Sequence, residues 1–331
     1  MNKKAIALLS GGIDSTLAIR VLKDQGIEIE AINFISPFCT CDRKGGCKHE
    51  ANNISELLGI PLKVFATGKE YIDIIKHPKF GYGKNLNPCI DCRIFMLNKA
   101  KKYMIECNAQ FLVTGEVLGQ RPKSQRRDAL HLIERETGLK GLILRPLSAK
   151  LLPPTIPEEK GIVDRKKLLS IKGRSRKEQF SLAKKYKLDE YLCTGGGCLL
   201  TDKHFVVKVK DLFKYKEDSS RNLLLLRIGR HFRSSSGQKI IVGKDKEDNL
   251  RLEKLAAKED TIFNLVDQPG PLILVPEGGD KTTYEEARGL CIYFSKAKTD
   301  MDVMCKYKDL NEIKKSHRLT EEKIKELELK A

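Results

Sequence analysis

Along the first 150 residues, apolar positions come in short unbroken runs separated by stretches where they recur every three or four residues. Ala5-Ile6-Ala7-Leu8-Leu9 is continuous, as a strand buried on both faces is. Leu17, Ile19, Val21 and Leu22 then recur among polar neighbours in a helical pattern. Strand signals return at 27–35, 62–66, 111–116 and 142–147, and helical ones at 50–58 and from Arg93 through Phe95, Leu97 and Ala100. Gly59-Ile60-Pro61 stops the first of these helices. Strands alternating with helices at this spacing predict an α/β fold, a doubly wound parallel sheet over residues 1–204.

From about Phe205 the pattern changes. Residues 206–210 and 222–230 read as strands or short buried elements, and 231–244 alternates about a Ser-Gly turn as a hairpin does. Residues 270–276 give another buried strand, a helix follows around Glu285 and Ala287, and 312–330 read as a Lys/Glu helix. These signals predict a smaller α+β domain over 205–308 and a charged C-terminal helix within 309–331. Cys291 and Cys305, in apolar company, read as core thiols. No run approaches the roughly 20 apolar residues of a membrane span. No signal-peptide pattern precedes the first strand, so a cytoplasmic chain with no membrane partner is expected.

Chemistry enters at the first strand–helix turn, Ser10-Gly11-Gly12-Ile13-Asp14-Ser15-Thr16. Glycines let the backbone approach an anion, a helix start offers N–H groups and a positive end, and Ser and Thr add hydroxyls. The turn lacks the Gly-Lys-Ser/Thr of a Walker loop. Ligands of such sheets sit at strand C-termini, which puts Asn33, late in the second strand, beside an adenine. The chain carries 62 Lys and Arg against 44 Asp and Glu, net +18, which suggests a polyanionic partner. Arg121, Lys123, Arg126 and Arg127 follow the fourth strand, and Arg174, Arg176 and Lys177 lie in a dense basic run. Both clusters are candidate phosphate or nucleic-acid contacts.

Ten cysteines argue for metal or sulfur chemistry rather than a disulfide scaffold. Cys89 and Cys92 form a Cys-x-x-Cys at a helix start. There the dipole favours thiolate, and both sulfurs can reach one metal or each other. Cys193 and Cys198 flank three glycines that would leave a thiol on an exposed turn. Cys39, Cys41 and Cys47, with His49, have the ligand types of a zinc site at a spacing that matches no finger, a loop of thiols being the alternative.

The Ser-Gly-Gly-x-Asp-Ser run resembles the loop of PP-loop enzymes, which share an adenine-nucleotide α-hydrolase-like fold and split ATP into AMP and pyrophosphate. Thr114-Gly115-Glu116-x-Leu118-Gly119-Gln120, Ser124-Gln125 and Arg145-Pro146-Leu147 are similar to the 4-thiouridine tRNA synthetases. Asn87-Pro88-x-x-x-Cys92 and the later Gly-Cys198 are similar to the 2-thiouridine synthetases of the wobble position. The resemblance implies adenylation of a tRNA uridine carbonyl oxygen, followed by sulfur transfer. It places ATP with Mg²⁺ at Ser10, Gly11, Gly12, Asp14, Ser15 and Thr16, with Asn33, Gly115 and Gln120 completing the site.

In the wobble enzymes the residues matching Cys92 and Cys198 carry the nucleophile and its resolving partner, and Asp commonly stands where this chain has Cys89. Cys89, Cys92 and a distant third cysteine instead resemble iron–sulfur thiolases, in which three thiolates hold a [4Fe–4S] cluster and one iron binds sulfide. Both schemes stay open, as does Cys193 in place of Cys198. Residues 206–300 resemble the RNA-binding module of NFACT proteins, which implies phosphate contacts from Arg227, Arg230, His231, Arg233, Lys239 and Lys244. Expected partners are tRNA and a sulfur donor (a cysteine desulfurase, a persulfide carrier or inorganic sulfide), and a homodimer is compatible. Two competing readings are a PP-loop enzyme activating a small molecule for thiolation or amidation, and a non-catalytic RNA-binding protein.

Overall fold

Alternate side chains of β1 (Lys4–Leu8) enter different cores, Ala5 and Ala7 one, Ile6 and Leu8 the other. This two-sided burial is what an unbroken apolar run encodes. The computed structural model describes residues 2–40, 46–188, 197–297, 300–307 and 310–330, and the chain divides into two units, Met1–Thr201 and Asp202–Ala331.

In the first unit, β1 is followed by α1 (Ile13–Lys23), β2 (Glu28–Ile35), α2 (Gly46–Leu58), β3 (Leu62–Ala66), α3 (Lys69–Lys76) and α4 (Cys89–Glu106). Then come β4 (Phe111–Thr114), α5 (Arg127–Thr137), β5 (Ile143–Leu144), α6 (Ile156–Glu159) and α7 (Lys177–Lys185). The strands form one parallel sheet in the order β3-β2-β1-β4-β5. Helices α1, α2 and α7 cover the Ala5/Ala7 face through Leu17, Ile54 and Ala183, and α4 and α5 cover the other through Leu97, Ala100 and Ile133. From β1 the chain winds outward through β2 to β3, then returns to place β4 and β5 on the opposite side. The C-terminal ends of β1 and β4 therefore flank a topological switch point, where a crevice opens.

The second unit holds α8 (Lys203–Lys214), α9 (Ser220–Leu225), β6 (Arg230–Arg233), β7 (Lys239–Val242), α10 (Lys246–Leu255), β8 (Thr261–Leu265) and β9 (Ile273–Val275). It continues through α11 (Lys281–Tyr293), β10 (Met301–Tyr307), β11 (Leu310–Ser316) and α12 (Glu321–Leu327). Its sheet is antiparallel, in the order β11-β10-β8-β9-β7-β6. Helices α11 and α12 pack on one face, where Ile240, Val242, Phe263 and Ile273 meet Leu290, Cys291 and Ile324. The 231–244 stretch forms the β6–β7 hairpin.

Of the two readings of residues 206–210 and 222–230, strands or short buried elements, the strand reading fails: they belong largely to α8 and α9 and form no strand before Arg230. Asp202 and Ser219 cap those helices by accepting from Phe205 N and Asn222 N. The buried Phe205, Val206, Val209 and Leu212 then lie on one helical stripe, which outweighs the β preference of the valines. The single charged helix expected over 309–331 is instead β11 followed by the short α12. Full pairing of β11 with β10 overrides the helix preference of its Lys and Glu, and those charges suit an exposed edge strand. No helix among the described residues is long and apolar enough to cross a membrane.

Candidate nucleotide and thiol site

Gly11 takes φ +76°, and a Cβ there would stand 2.7 Å from Glu50 Cβ, so the turn after β1 requires glycine. Gly12 follows in extended conformation at the N-cap of α1, and no side chain caps that helix. The Ser15 hydroxyl accepts from Ser10 N (3.2 Å) and donates to Gly12 O (2.9 Å), tying the turn to the first helical turn. Thr16 Oγ1 donates to the same carbonyl at 3.1 Å. Across the switch point, Gly115 follows β4 so closely that a Cβ would lie 2.4 Å from Ser15 N. Only a glycine lets the end of β4 lie against this helix start.

Asp14 points its carboxylate sideways. Oδ2 accepts from Gln120 Nε2 at 2.7 Å, Arg176 stands 3.8 Å away, and Oδ1 is buried without a partner. Gln179 Nε2 donates in turn to Gln120 Oε1 at 3.1 Å. Asn33 donates to Leu9 O at 2.7 Å and leaves its own Oδ1 buried and unpartnered. Buried acceptors without donors are costly, by about 1–3 kcal/mol each. Two of them beside a glycine turn fit a site completed by a ligand or a hydrated cation.

The crevice is a cleft of about 290 Å³ lined by Ser10, Asp14, Ser15, Asn33 and Gly115. Cys39, Cys89, Cys92 and Cys198 line the same cleft. Cys89 and Cys92 reach it because α4 begins at Cys89, where the Asp91 carboxylate accepts from Lys79 N (2.8 Å) and Phe80 N and holds the preceding loop. Cys198 is brought there by backbone pairing. Leu199 N donates to Phe38 O (2.8 Å), Thr40 N to Gly197 O (3.2 Å) and Leu86 N to Leu200 O (3.2 Å).

The helix start favours thiolate at Cys89 and Cys92, and burial in the structure opposes it. Burial pushes the Cys89 thiol up, against the opposing charges of Arg121, Lys123 and Arg93. Burial likewise raises Cys92, although the Tyr71 hydroxyl and Arg93 favour its ionised form, and pushes Cys198 up to about 12. Desolvation exceeds the dipole because these sulfurs face a narrow cleft rather than water. Three thiols on one cleft are the donor set of a thiolate-held cluster. Even so, among the described residues no three Cys, His, Asp or Glu side chains stand close enough together to hold a metal ion. Cys41 and Cys193 lie outside the described residues, as does the Cys47 side chain, while Cys39 lies against Cys198.

Tyr71, Arg93 and Glu116 carry much of the geometry and were not singled out as site residues. Tyr71, buried on α3 between Phe38 and Phe95, donates its hydroxyl to Cys92 Sγ at 3.1 Å. In sequence it is one aromatic on an amphipathic helix, with no local sign of a sulfur partner. Glu116 is buried between Arg93 (2.9 Å) and Arg145 (3.1 Å). Burial alone would raise its carboxyl, but the two guanidiniums outweigh that and hold it below the usual range. The Thr114-Gly115-Glu116 and Arg145-Pro146-Leu147 motifs are thus two ends of one ion network.

The proposed nucleic-acid contacts separate. Arg121 lines the cleft with Ser124, and Arg126, Arg174 and Lys177 are exposed. Arg127 is exposed too, though it donates to Leu151 O at 2.8 Å. In the second unit Arg230 is half-buried over the Phe294 ring and Lys244 is exposed. Three residues of the expected phosphate face, His231, Arg233 and Lys239, are engaged within the unit. Half-buried Arg233 is held by Asp211 (2.5 Å) and Glu217 (2.8 Å), and buried Lys239 by Asp211 (2.5 Å). His231 is buried, and burial with Lys208 and Lys239 nearby holds its imidazole well below the ordinary range.

The first unit is similar to tRNA thiolation proteins. Residues 1–150 match the family described as thiamine biosynthesis protein (ThiI), and residues 229–329 match the NFACT protein RNA binding domain. A probable tRNA sulfurtransferase of Ureaplasma parvum serovar 3 is 34% identical over 153 residues, 45% of this chain and 37% of that protein. The tRNA-specific 2-thiouridylase MnmA 1 of Caldanaerobacter subterraneus subsp. tengcongensis is 27% identical over 144 residues, 38% of each chain. The matches thus span little more than a third of the length of these curated relatives. Among solved structures, a 4-thiouridine synthetase–RNA complex with bound ATP shares 23% identity at TM-score 0.36, covering 59% of this chain and 54% of that one. The U34-tRNA thiolase NcsA from Methanococcus maripaludis, with its [4Fe–4S] cluster, shares 20% at TM-score 0.33, covering 68% and 70%.

Proposed function

We propose that this chain is a cytoplasmic tRNA sulfurtransferase that adenylates a uridine carbonyl oxygen with ATP and then replaces that oxygen with sulfur. The observation that carries this reading is a single cleft lined both by the glycine turn and by Cys89, Cys92 and Cys198. The names of its relatives, a 2-thiouridylase and a tRNA sulfurtransferase, agree with it.

The triphosphate lies against the turn, where the Ser10 hydroxyl and the first N–H groups of α1 offer donors and a positive helix end. Adenine sits towards Asn33, whose free oxygen accepts from an amine. Mg²⁺ would be held at Asp14, supplying charge neutralisation for the departing pyrophosphate. Arg121, on the cleft wall, stabilises negative charge that develops on the phosphates. The uridine oxygen attacks the α-phosphorus, the O–P bond forms and pyrophosphate leaves. A sulfur nucleophile then displaces AMP from the base carbon. The uridine must leave its stack to enter, and Arg126, Arg174, Lys177 and Arg230 hold the tRNA backbone.

Cys89, Cys92 and Cys198 would hold a [4Fe–4S] cluster, which supplies an iron that binds sulfide. As they stand, the three side chains are not close enough together to hold a metal ion. In the alternative, a cleft thiol receives a persulfide sulfur from a cysteine desulfurase or a persulfide carrier protein.

Mass spectrometry of nucleosides from total tRNA of a deletion strain tests the reading. One thiouridine disappears if it holds. Unchanged nucleosides, together with ATP turnover that needs no RNA, would instead point to a small-molecule substrate.

A further inference from the structure

Cys39 has no part in either sulfur scheme, yet it is the residue directly opposite Cys198. The two form an antiparallel bridge whose flanking bonds run from Leu199 N to Phe38 O and from Thr40 N to Gly197 O. Those bonds belong to the neighbours on either side, so Cys39 and Cys198 occupy a non-hydrogen-bonded position. At such positions the Cα atoms lie about 4.5 Å apart with both side chains on the same face. That lies within the span of about 4.4–6.8 Å that a disulfide bridges. Thr40 Oγ1 also accepts from Gly197 N and donates to Gly197 O, which fixes the register. Both cysteines are half-buried thiols and both line the nucleotide cleft.

We propose that Cys39 is the covalent partner of Cys198, the thiol that releases transferred sulfur from Cys198 by closing a cross-strand disulfide. This rests on the thiolation reading above, with sulfur carried as a persulfide on Cys198. The terminal persulfide sulfur attacks the adenylated base carbon, a C–S bond forms, and AMP leaves with the oxygen. The base is now joined to Cys198 through S–S. Cys39, as thiolate, attacks Cys198 Sγ, and that S–S bond breaks with its electron pair on the base sulfur. A proton taken up by the ring completes the thiouridine. Two protein thiols have been oxidised to a disulfide, and the sulfane sulfur has been reduced by the same two electrons. A dithiol reductant then reopens the pair by exchange. Cys92, held by Tyr71 at the start of α4, has no backbone pairing with Cys198 that presets such a bond.

Two measurements test this on the full chain. In the first, protein treated with oxidised glutathione is alkylated, digested without reduction and mapped by mass spectrometry. A Cys39–Cys198 linked peptide is expected in the wild type and in Cys92→Ser, and a predominant Cys92–Cys198 link would overturn the pairing. In the second, chain loaded with inorganic polysulfide is mixed with ATP and tRNA for a single turnover. Wild type should release thiolated tRNA, whereas Cys39→Ser should accumulate a protein–tRNA adduct cleaved by dithiothreitol. Equal release by both would refute the role of Cys39 while leaving the thiolation reading intact. AMP formation that needs no tRNA, with no thiolation by either protein, would instead count against that reading, whatever the mapping shows.

Discussion

In the first unit the polar atoms around the cleft are open on one side, whereas in the second unit the innermost charges close on each other. Asp14 and Asn33 each keep a buried oxygen without a donor, and burial pushes the cleft thiols up. Arg233, Lys239, Asp211 and Glu217 instead satisfy one another, and Asp211 falls below the usual carboxylate range. Burial pushes the Asp211 carboxyl up, but Arg233 and Lys239 outweigh it. Beside a glycine turn, incomplete pairing fits a place where a ligand finishes the structure; unpaired buried atoms such as Asn222 Oδ1 and Arg288 Nε in the second unit stand beside no such turn. Complete pairing marks a fold held by its own charges, where removing one partner strands the rest.

That difference sorts the expected effects of mutation. Cys198→Ser should cut thiolation on the order of 10³-fold or more, as removal of a nucleophile does, with little change in melting temperature. A variant that melts early but still thiolates would break the comparison from one side. Asp211→Ala should do the reverse, lowering unfolding free energy by about 3 kcal/mol in denaturant titration because buried Lys239 loses its acidic partner and Arg233 keeps only Glu217. A loss under 1 kcal/mol would show that the network is not closed.

Gly115→Ala drives a methyl into Ser15 N and should cost about 1–3 kcal/mol through overpacking, with ATP affinity falling as α1 shifts. Calorimetric titration with ATP checks this. Tyr71→Phe keeps the packing against Phe38 and Phe95 but removes the donor to Cys92. Alkylation of Cys92 at mildly alkaline pH should then slow about three- to tenfold, its pH profile moving upward because the thiolate has lost a hydrogen bond.

The smallest effect is a pH dependence of the second unit. His231 is held neutral below its ordinary range, while in the unfolded chain it titrates near about 6.5. Below that pH the unfolded state takes up a proton that the folded state refuses, so stability present above it is lost as the pH falls. Unfolding midpoints at pH 7.5 and 5.5 should differ, and His231→Gln should shrink the difference.

The sheet and its glycine turn were legible because the central strands β1 and β4 are buried on both faces and therefore read as apolar runs. What sequence concealed depends on distant partners. The valines of α8 favour a strand until the Asp202 cap is seen, and the Lys/Glu stretch of β11 favours a helix until its pairing with β10 is seen. Tyr71 and Arg93 act through Cys92 and Glu116, both more than 20 residues away. Basic residues misled for a related reason, since Arg233 and Lys239 look like surface charges until Asp211 is placed between them.

The central claim is that ATP bound at the glycine turn marks a uridine oxygen for replacement by sulfur. Transcribed tRNA carrying ¹⁸O at its uridine carbonyls, incubated with the chain, ATP and a sulfide source, tests this in the AMP released. One ¹⁸O per AMP, matched by one thiouridine formed, is the predicted result. Unlabelled AMP, its new oxygen drawn from water, would contradict the account.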